Sequence, residues 1–175
     1  MRRRAAGLGV LLLAPLAAFA QPAGPAEPVA AAVDAPPPAL HLVYMGGNDC
    51  PPCRAWRAVE LPKLQASPVF KRMRFSHVTK AVRAGVPSRV FLPDEVKPLK
   101  EQLDQASNGF GGSPQVALFV DGQLHDYYWG TRSAADIERM VRALERGRPY
   151  PFTACLKLDR GGRCAGPVAQ AATSP

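Results

Sequence analysis

Two cysteines separated by two prolines constrain this chain more than any other feature. They stand in the stretch HLVYMGGNDCPPCRAW, residues 41–56. The apolar run from Leu40 to Met45, closed by Gly46-Gly47, reads as a short buried strand. Proline is tolerated in the first turn of a helix, where its missing N–H has no partner anyway. Pro51-Pro52 therefore marks a helix start. The spacing predicts a helix through Trp56 and Val59 that stops near Leu61, before Pro62. The unit is a strand, a glycine turn and a helix that begins on the two sulfurs.

The compartment bears on what such cysteines can do. The chain opens MRRRAAGLGVLLLAPLAAFA, with a basic segment at Arg2–Arg4, an apolar run from Leu8 to Phe19 and the small-x-small site Ala18-Phe19-Ala20. This pattern predicts a cleaved secretory signal peptide over residues 1–20, in place of an uncleaved anchor, because Pro15 interrupts a run already shorter than the roughly 20 residues a spanning helix needs. Its style is that of a bacterial exporter, so the expected location is a periplasm. Taking the three signal arginines from the formal charge of +8 leaves +5, and the remaining basic residues are scattered. The reading is a solvated surface with no nucleic-acid recognition.

Residues 21–39 hold six prolines among alanines and read as a linker. Ordered structure is expected over residues 40–147. Pro68 to Met73 reads as a short second helix and Arg74 to Lys80 as a strand with Phe75 and Val78 inward. Residues 81–92 are irregular. Asp94 to Ala106 reads as a helix delayed by Pro98, with Val96, Leu99, Leu103 and Ala106 on one face, ended by Asn108-Gly109. QVALFV and QLHDYYW flank Asp121-Gly122, the dipeptide of a two-residue hairpin. Ser133 and Asp136 cap a last helix whose buried stripe is Ile137, Met140, Val141 and Leu144. The order β-α-β-α-β-β-α implies an α/β fold, a mixed central sheet with helices on both faces. The tail, residues 148–175, loses periodicity and carries Cys155 and Cys164. The turn-forming DRGG between them and an oxidising compartment predict a structural disulfide, with a redox relay as the rival.

The Cys50/Cys53 pair has three readings. At a helix N-terminus a thiolate is stabilised by unpaired N–H groups and the helix dipole, which makes Cys50 the nucleophile and Cys53, one turn in, the thiol that resolves a mixed disulfide. A zinc site lacks a second pair at knuckle spacing, and no metal or other cofactor is expected; copper(I) would use Cys50, Cys53 and a soft neighbour such as Met45. An inert staple is weaker still, since so small a ring constrains almost no chain. Thiol exchange leads. His41, His77 and His125 lie in no nucleophile context, and Trp56 and Trp129 read as packing residues. Arg54 and Arg57 read as a solvated face or as an offset to Asp49.

The C-P-P-C motif after a strand, together with GGSPQVALFVDGQLHDYYWG, resembles the thioredoxin superfamily. CRAWRAVELPKLQASPVFKRM is similar to its periplasmic branch. The resemblance implies a thioredoxin-like fold, attack by Cys50, resolution by Cys53, and a cis Ser113–Pro114 peptide beside the cysteines that pairs with an extended substrate strand. It implies protein thiols and disulfides as substrates. Two positions depart from the family: Asp49 replaces the tryptophan before the first cysteine, and Tyr44 replaces a buried acid six residues before it. Asp49, Pro51, Pro52 and Arg54 are the expected tuning residues. Asp49 opposes a thiolate, the prolines offer no side-chain donor, and Ser113 is polar, so the reading is a reducing protein served by a membrane-bound reductant. The alternatives are a copper-handling chaperone and a non-catalytic binding module.

Overall fold

A computed structural model describes residues 36–165. The predicted signal peptide, the linker up to residue 35 and the tail beyond residue 165 lie outside the described residues. The elements are β1 (Leu40–Met45), α1 (Pro51–Ala66), β2 (Met73–Val78), α2 (Lys100–Ser107), β3 (Gln115–Val120), β4 (Gln123–Trp129) and α3 (Ala134–Glu145), with short 3-10 turns at Phe70–Arg72, Arg89–Phe91 and Lys97–Leu99. The strands form one sheet in the order β2-β1-β3-β4. β1 pairs parallel with β2 and antiparallel with β3, and β3 pairs antiparallel with β4. Of the two strand–helix–strand crossovers, only the first therefore yields a parallel pair; the long connection through α2 delivers β3 reversed, on the far side of β1.

Alternation along the strands builds two cores. Leu42, Tyr44, Val116 and Leu118 face one side with Trp56 and Leu64 of α1 and Ile137 and Met140 of α3. Val43, Met45, Ala117 and Phe119 face the other with Leu103 and Ala106 of α2. Helices cover both faces in this mixed sheet, and the fold is thioredoxin-like.

Local chemistry explains most boundaries. Asp121 (φ 51°) and Gly122 (φ 78°) both take the left-handed conformation a tight hairpin turn needs. Asn108 (φ 50°) ends α2, and α2 starts only at Lys100, after the turn holding Pro98. Ser133 and Asp136 form a full capping box at α3. Glu60 of α1 adds a further cap, its Oε2 accepting the Ala134 N–H at 2.8 Å. Residues 68–73 give a single 3-10 turn, and Met73 is already in β2.

The end of α1 differs from the sequence reading. The helix does not stop before Pro62; it continues to Ala66, where the Ser67 hydroxyl donates to the Leu64 carbonyl at 2.7 Å. Pro62 removes one helical hydrogen bond, at a cost of about 3 kcal/mol in a helix interior. Pro62 is exposed, and so is Ala58, whose carbonyl loses that partner. Leu64 is fully buried, and burying a leucine contributes about 1.5–3 kcal/mol. Packing holds the last turn.

The tail, despite its lack of periodicity, packs on the sheet. Tyr150 and Phe152 lie against the first core and Cys155 and Leu158 in the second, so the chain passes around the β4 edge. Asp126, fully buried, holds it there: its carboxylate pairs with Arg132 at 2.7 Å and accepts from the Tyr150 hydroxyl and the Cys155 N–H, each at 2.9 Å. The Cys155 carbonyl accepts the Tyr127 N–H at 2.7 Å, occupying an edge-strand donor.

Candidate functional site

Strand register fixes where the cysteines fall. Val78, Met45, Gln115 and Trp129 form one row across the end of the sheet. The segments beyond that row are the turn 46–49 leading to Cys50, the crossover starting at Lys80, the loop 111–114 and Gly130. Cys50 and Cys53 therefore share one end of the sheet with Ser113 and Pro114, whose connecting peptide is cis.

Cys50 and Cys53 are joined in a disulfide, with Cα atoms 5.2 Å apart. Cys50 is the N-cap of α1 and Pro51 and Pro52 are its first two residues. Neither proline has an N–H, so the helix start offers Cys50 few donors; the Cys53 N–H reaches Cys50 Sγ at 3.2 Å. Both half-cystines are fully buried. In this oxidised state the Cys50 Sγ turns inward to cap the helix. Gly46 backs the pair so closely that a Cβ there would sit 2.9 Å from both Cys53 Sγ and Tyr44 Cε1.

Tyr44 thus lies beside Cys53. Its ring stacks on Trp56 at 4.5 Å, its hydroxyl has no hydrogen-bond partner, and burial pushes it up to about 12. Trp56 is a packing residue whose indole donates to the Arg132 carbonyl at 2.7 Å. The other tryptophan packs less deeply: Trp129 is 51% exposed, lies edge-on to Phe110 and directs its indole N–H at the Ser113 carbonyl, 3.4 Å away. It borders the loop ahead of Pro114. Ser113 is buried, and its hydroxyl has no hydrogen-bond partner.

The charged residues are placed differently from the simplest expectation. The Asp49 carboxylate accepts the Val82 N–H at 3.0 Å and attracts the ammonium of Lys80. Arg57 donates not to Asp49 but to Asn48 Oδ1, at 2.8 Å. Arg54 is exposed on the first turn of α1. Lys80 went unnoticed in the sequence. It is 5% exposed, and its ammonium donates to the carbonyls of Gly112 (2.9 Å), Gly111 (3.3 Å) and Ala84; burial lowers it to about 8, against the opposing pull of Asp49. A lone lysine after a strand carries no signal of this. Its burial comes from the crossover folding back over it.

Met45 points into the core on the opposite face of the sheet from Cys50 and Cys53, so it cannot join them around a copper ion. No three His, Cys, Asp or Glu side chains group for a metal among the described residues. The histidines stand elsewhere: His41 on Ser76 at 2.9 Å, His77 near Arg57 and the Gly46 carbonyl, His125 against Tyr150. Ser76 donates to Glu95 at 2.7 Å and is buried, which is not the arrangement of a nucleophile poised on His41.

Cys155 and Cys164 are bonded, with Cα atoms 5.7 Å apart, across a turn in which Asp159 N–H meets the Arg163 carbonyl at 2.7 Å. Gly162 of that turn rests on the aromatic pair: a Cβ there would be 2.7 Å from Phe110 Cζ and 2.8 Å from Trp129 Cε3. The stapled loop is therefore continuous with the site through Trp129.

No protein-family model matches the chain, and no curated protein matches it in sequence. Among solved structures it is similar to a thiol:disulfide interchange protein of the thioredoxin family from Chlorobium tepidum (18% identity, 61% of this chain and 79% of that one, TM-score 0.41). It is also similar to Trxlp from Edwardsiella tarda (22%, 62% and 84%, TM-score 0.38). A third likeness is to thioredoxin-2, a component of malaria parasite protein secretion machinery (15%, 60% and 82%, TM-score 0.39). The fold assignment stands on strand order, register and helix placement.

Proposed function

We propose that this chain is an exported, periplasmic thiol–disulfide oxidoreductase that reduces disulfides in protein substrates. The observation that carries it is the Cys50–Cys53 disulfide at the start of α1, beside the loop 111–114. In the reduced protein the Cys50 thiolate attacks a substrate disulfide and one substrate sulfur leaves as a thiolate, taking up a proton. Cys53 then attacks Cys50 Sγ, the mixed disulfide breaks and the second substrate thiol departs. Two electrons have passed to the substrate, and the disulfide form described above is the end state. An outside dithiol must restore it. In a periplasm that role falls to a membrane-bound reductant.

The reducing direction follows from how little holds a thiolate on Cys50. A strong oxidant has a stabilised reduced form, chiefly through a low thiol pKa. Pro51 and Pro52 withdraw two N–H groups from the helix start, leaving the Cys53 N–H as the donor on Cys50. The couple is expected below about −180 mV, on the thioredoxin side of the disulfide isomerase range. Equilibrating the protein against glutathione buffers measures it. A value near about −120 mV would make it a disulfide donor. A pair that exchanges with neither glutathione nor protein disulfides would support the non-catalytic binding module.

A further inference from the structure

Lys80 is the buried cation that the exchange steps leave unused. A lysine ammonium has three N–H donors and no acceptor, and the carbonyls of Ala84, Gly111 and Gly112 take all three. Two of them belong to the loop immediately before Ser113–Pro114, and the third to the crossover after β2. Asp49 closes the cluster, with Oδ2 on the Val82 N–H at 3.0 Å. A buried ammonium is costly without a counter-charge. The Asp49 carboxylate, bound to the Val82 N–H beside this cluster, attracts the ammonium through space and not as a direct ion pair, and it directly precedes Cys50.

We propose that Lys80 is a positioning residue of the disulfide site: it clamps the Gly111–Gly112 segment to the crossover and offsets the Asp49 charge that would otherwise disfavour a thiolate at Cys50. The inference rests on Cys50 being the attacking thiol. The other charged or titratable groups around this turn are Arg57, which bonds Asn48, His77 against Arg57 and the Gly46 carbonyl, Tyr44 beside Cys53, exposed Arg54, and exposed Arg83 in the crossover, whose carbonyl lies against Gly111. All stay in place in the variants below, so differences report on the Lys80–Asp49 pair.

The test follows alkylation of Cys50 by iodoacetamide in the reduced full chain, read by peptide mass across about pH 5 to 9. Lys80→Gln keeps two N–H donors for the three carbonyls and removes the charge. It is expected to slow Cys50 alkylation about 3- to 10-fold on the acidic side. Asp49→Asn should speed it, and the double variant should return to within about 2-fold of wild type, as compensation between two charges requires. A structural role for Lys80 would not be rescued by Asp49→Asn, so a double variant as slow as Lys80→Gln overturns the proposal. So does an unchanged rate in Lys80→Gln. If Lys80→Gln does not fold, Asp49→Asn alone decides: no gain in rate overturns the coupling. Exchange of the wild type with a protein disulfide is measured in parallel. A wild type that exchanges with none refutes the proposed function while the alkylation series still judges Lys80.

Discussion

At the scale of the residue, Tyr44 shows how one side chain reshapes the chemistry. It stands where the resemblance places a buried acid, and it does lie beside Cys53. With its phenol pushed up to about 12 by burial, it cannot take the Cys53 proton near neutral pH as a carboxylate would. Resolution of the mixed disulfide then draws its base from elsewhere, including the departing substrate thiolate. Tyr44→Phe keeps the stacking on Trp56 and removes an unpaired buried hydroxyl. It is expected to raise stability by about 1 kcal/mol in urea denaturation and to leave the exchange rate unchanged. A slower exchange with an intact fold would mean that the phenol moves the proton. The identity of Tyr44 and its distance in sequence from Cys50 were legible; its orphaned hydroxyl was not, because hydrogen-bond partners come from packing. The same holds for Asp49, whose adjacency to Cys50 was legible and whose commitment to Val82 and Lys80 was not.

At the scale of the element, turn chemistry was the reliable guide and single prolines were not. Asp121-Gly122, Asn108 and the Ser133–Asp136 box each specify a backbone conformation through their own atoms, and those boundaries fall where the sequence puts them. Pro62 specifies only a missing hydrogen bond, which the burial of Leu64 and the Ser67 cap offset. The tail had no periodicity to read, because Asp126, the β4 edge and the Cys155–Cys164 bond hold it instead of a helical or strand pattern. Closing so short a loop contributes about 2–3 kcal/mol by chain entropy. A Cys155→Ser, Cys164→Ser double variant is expected to lose about that much in denaturation. Its tryptophan emission should shift to the red as the Gly162 turn lifts from Trp129, with exchange through Cys50 retained. Loss of exchange in a folded double variant would instead make this pair an electron relay.

At the scale of the whole molecule, the order of elements and the two-faced sheet were legible, and the direction of β3 was not. A strand–helix–strand pattern suggests a parallel return, but the long connection through 79–99 lets the chain cross over and come back antiparallel. That reversal carries Ser113 and Pro114 to the same end of the sheet as Cys50, which is what makes one site of two distant motifs. The central claim is that this site exchanges disulfides with proteins through Cys50. Trapping tests it most directly: a Cys53→Ser variant of the full chain is expressed in a bacterium and recovered without reductant, and its linked proteins are released and identified. The account predicts long-lived mixed disulfides through Cys50 that vanish in Cys50→Ser. No linked protein, or links that persist in Cys50→Ser, would contradict it.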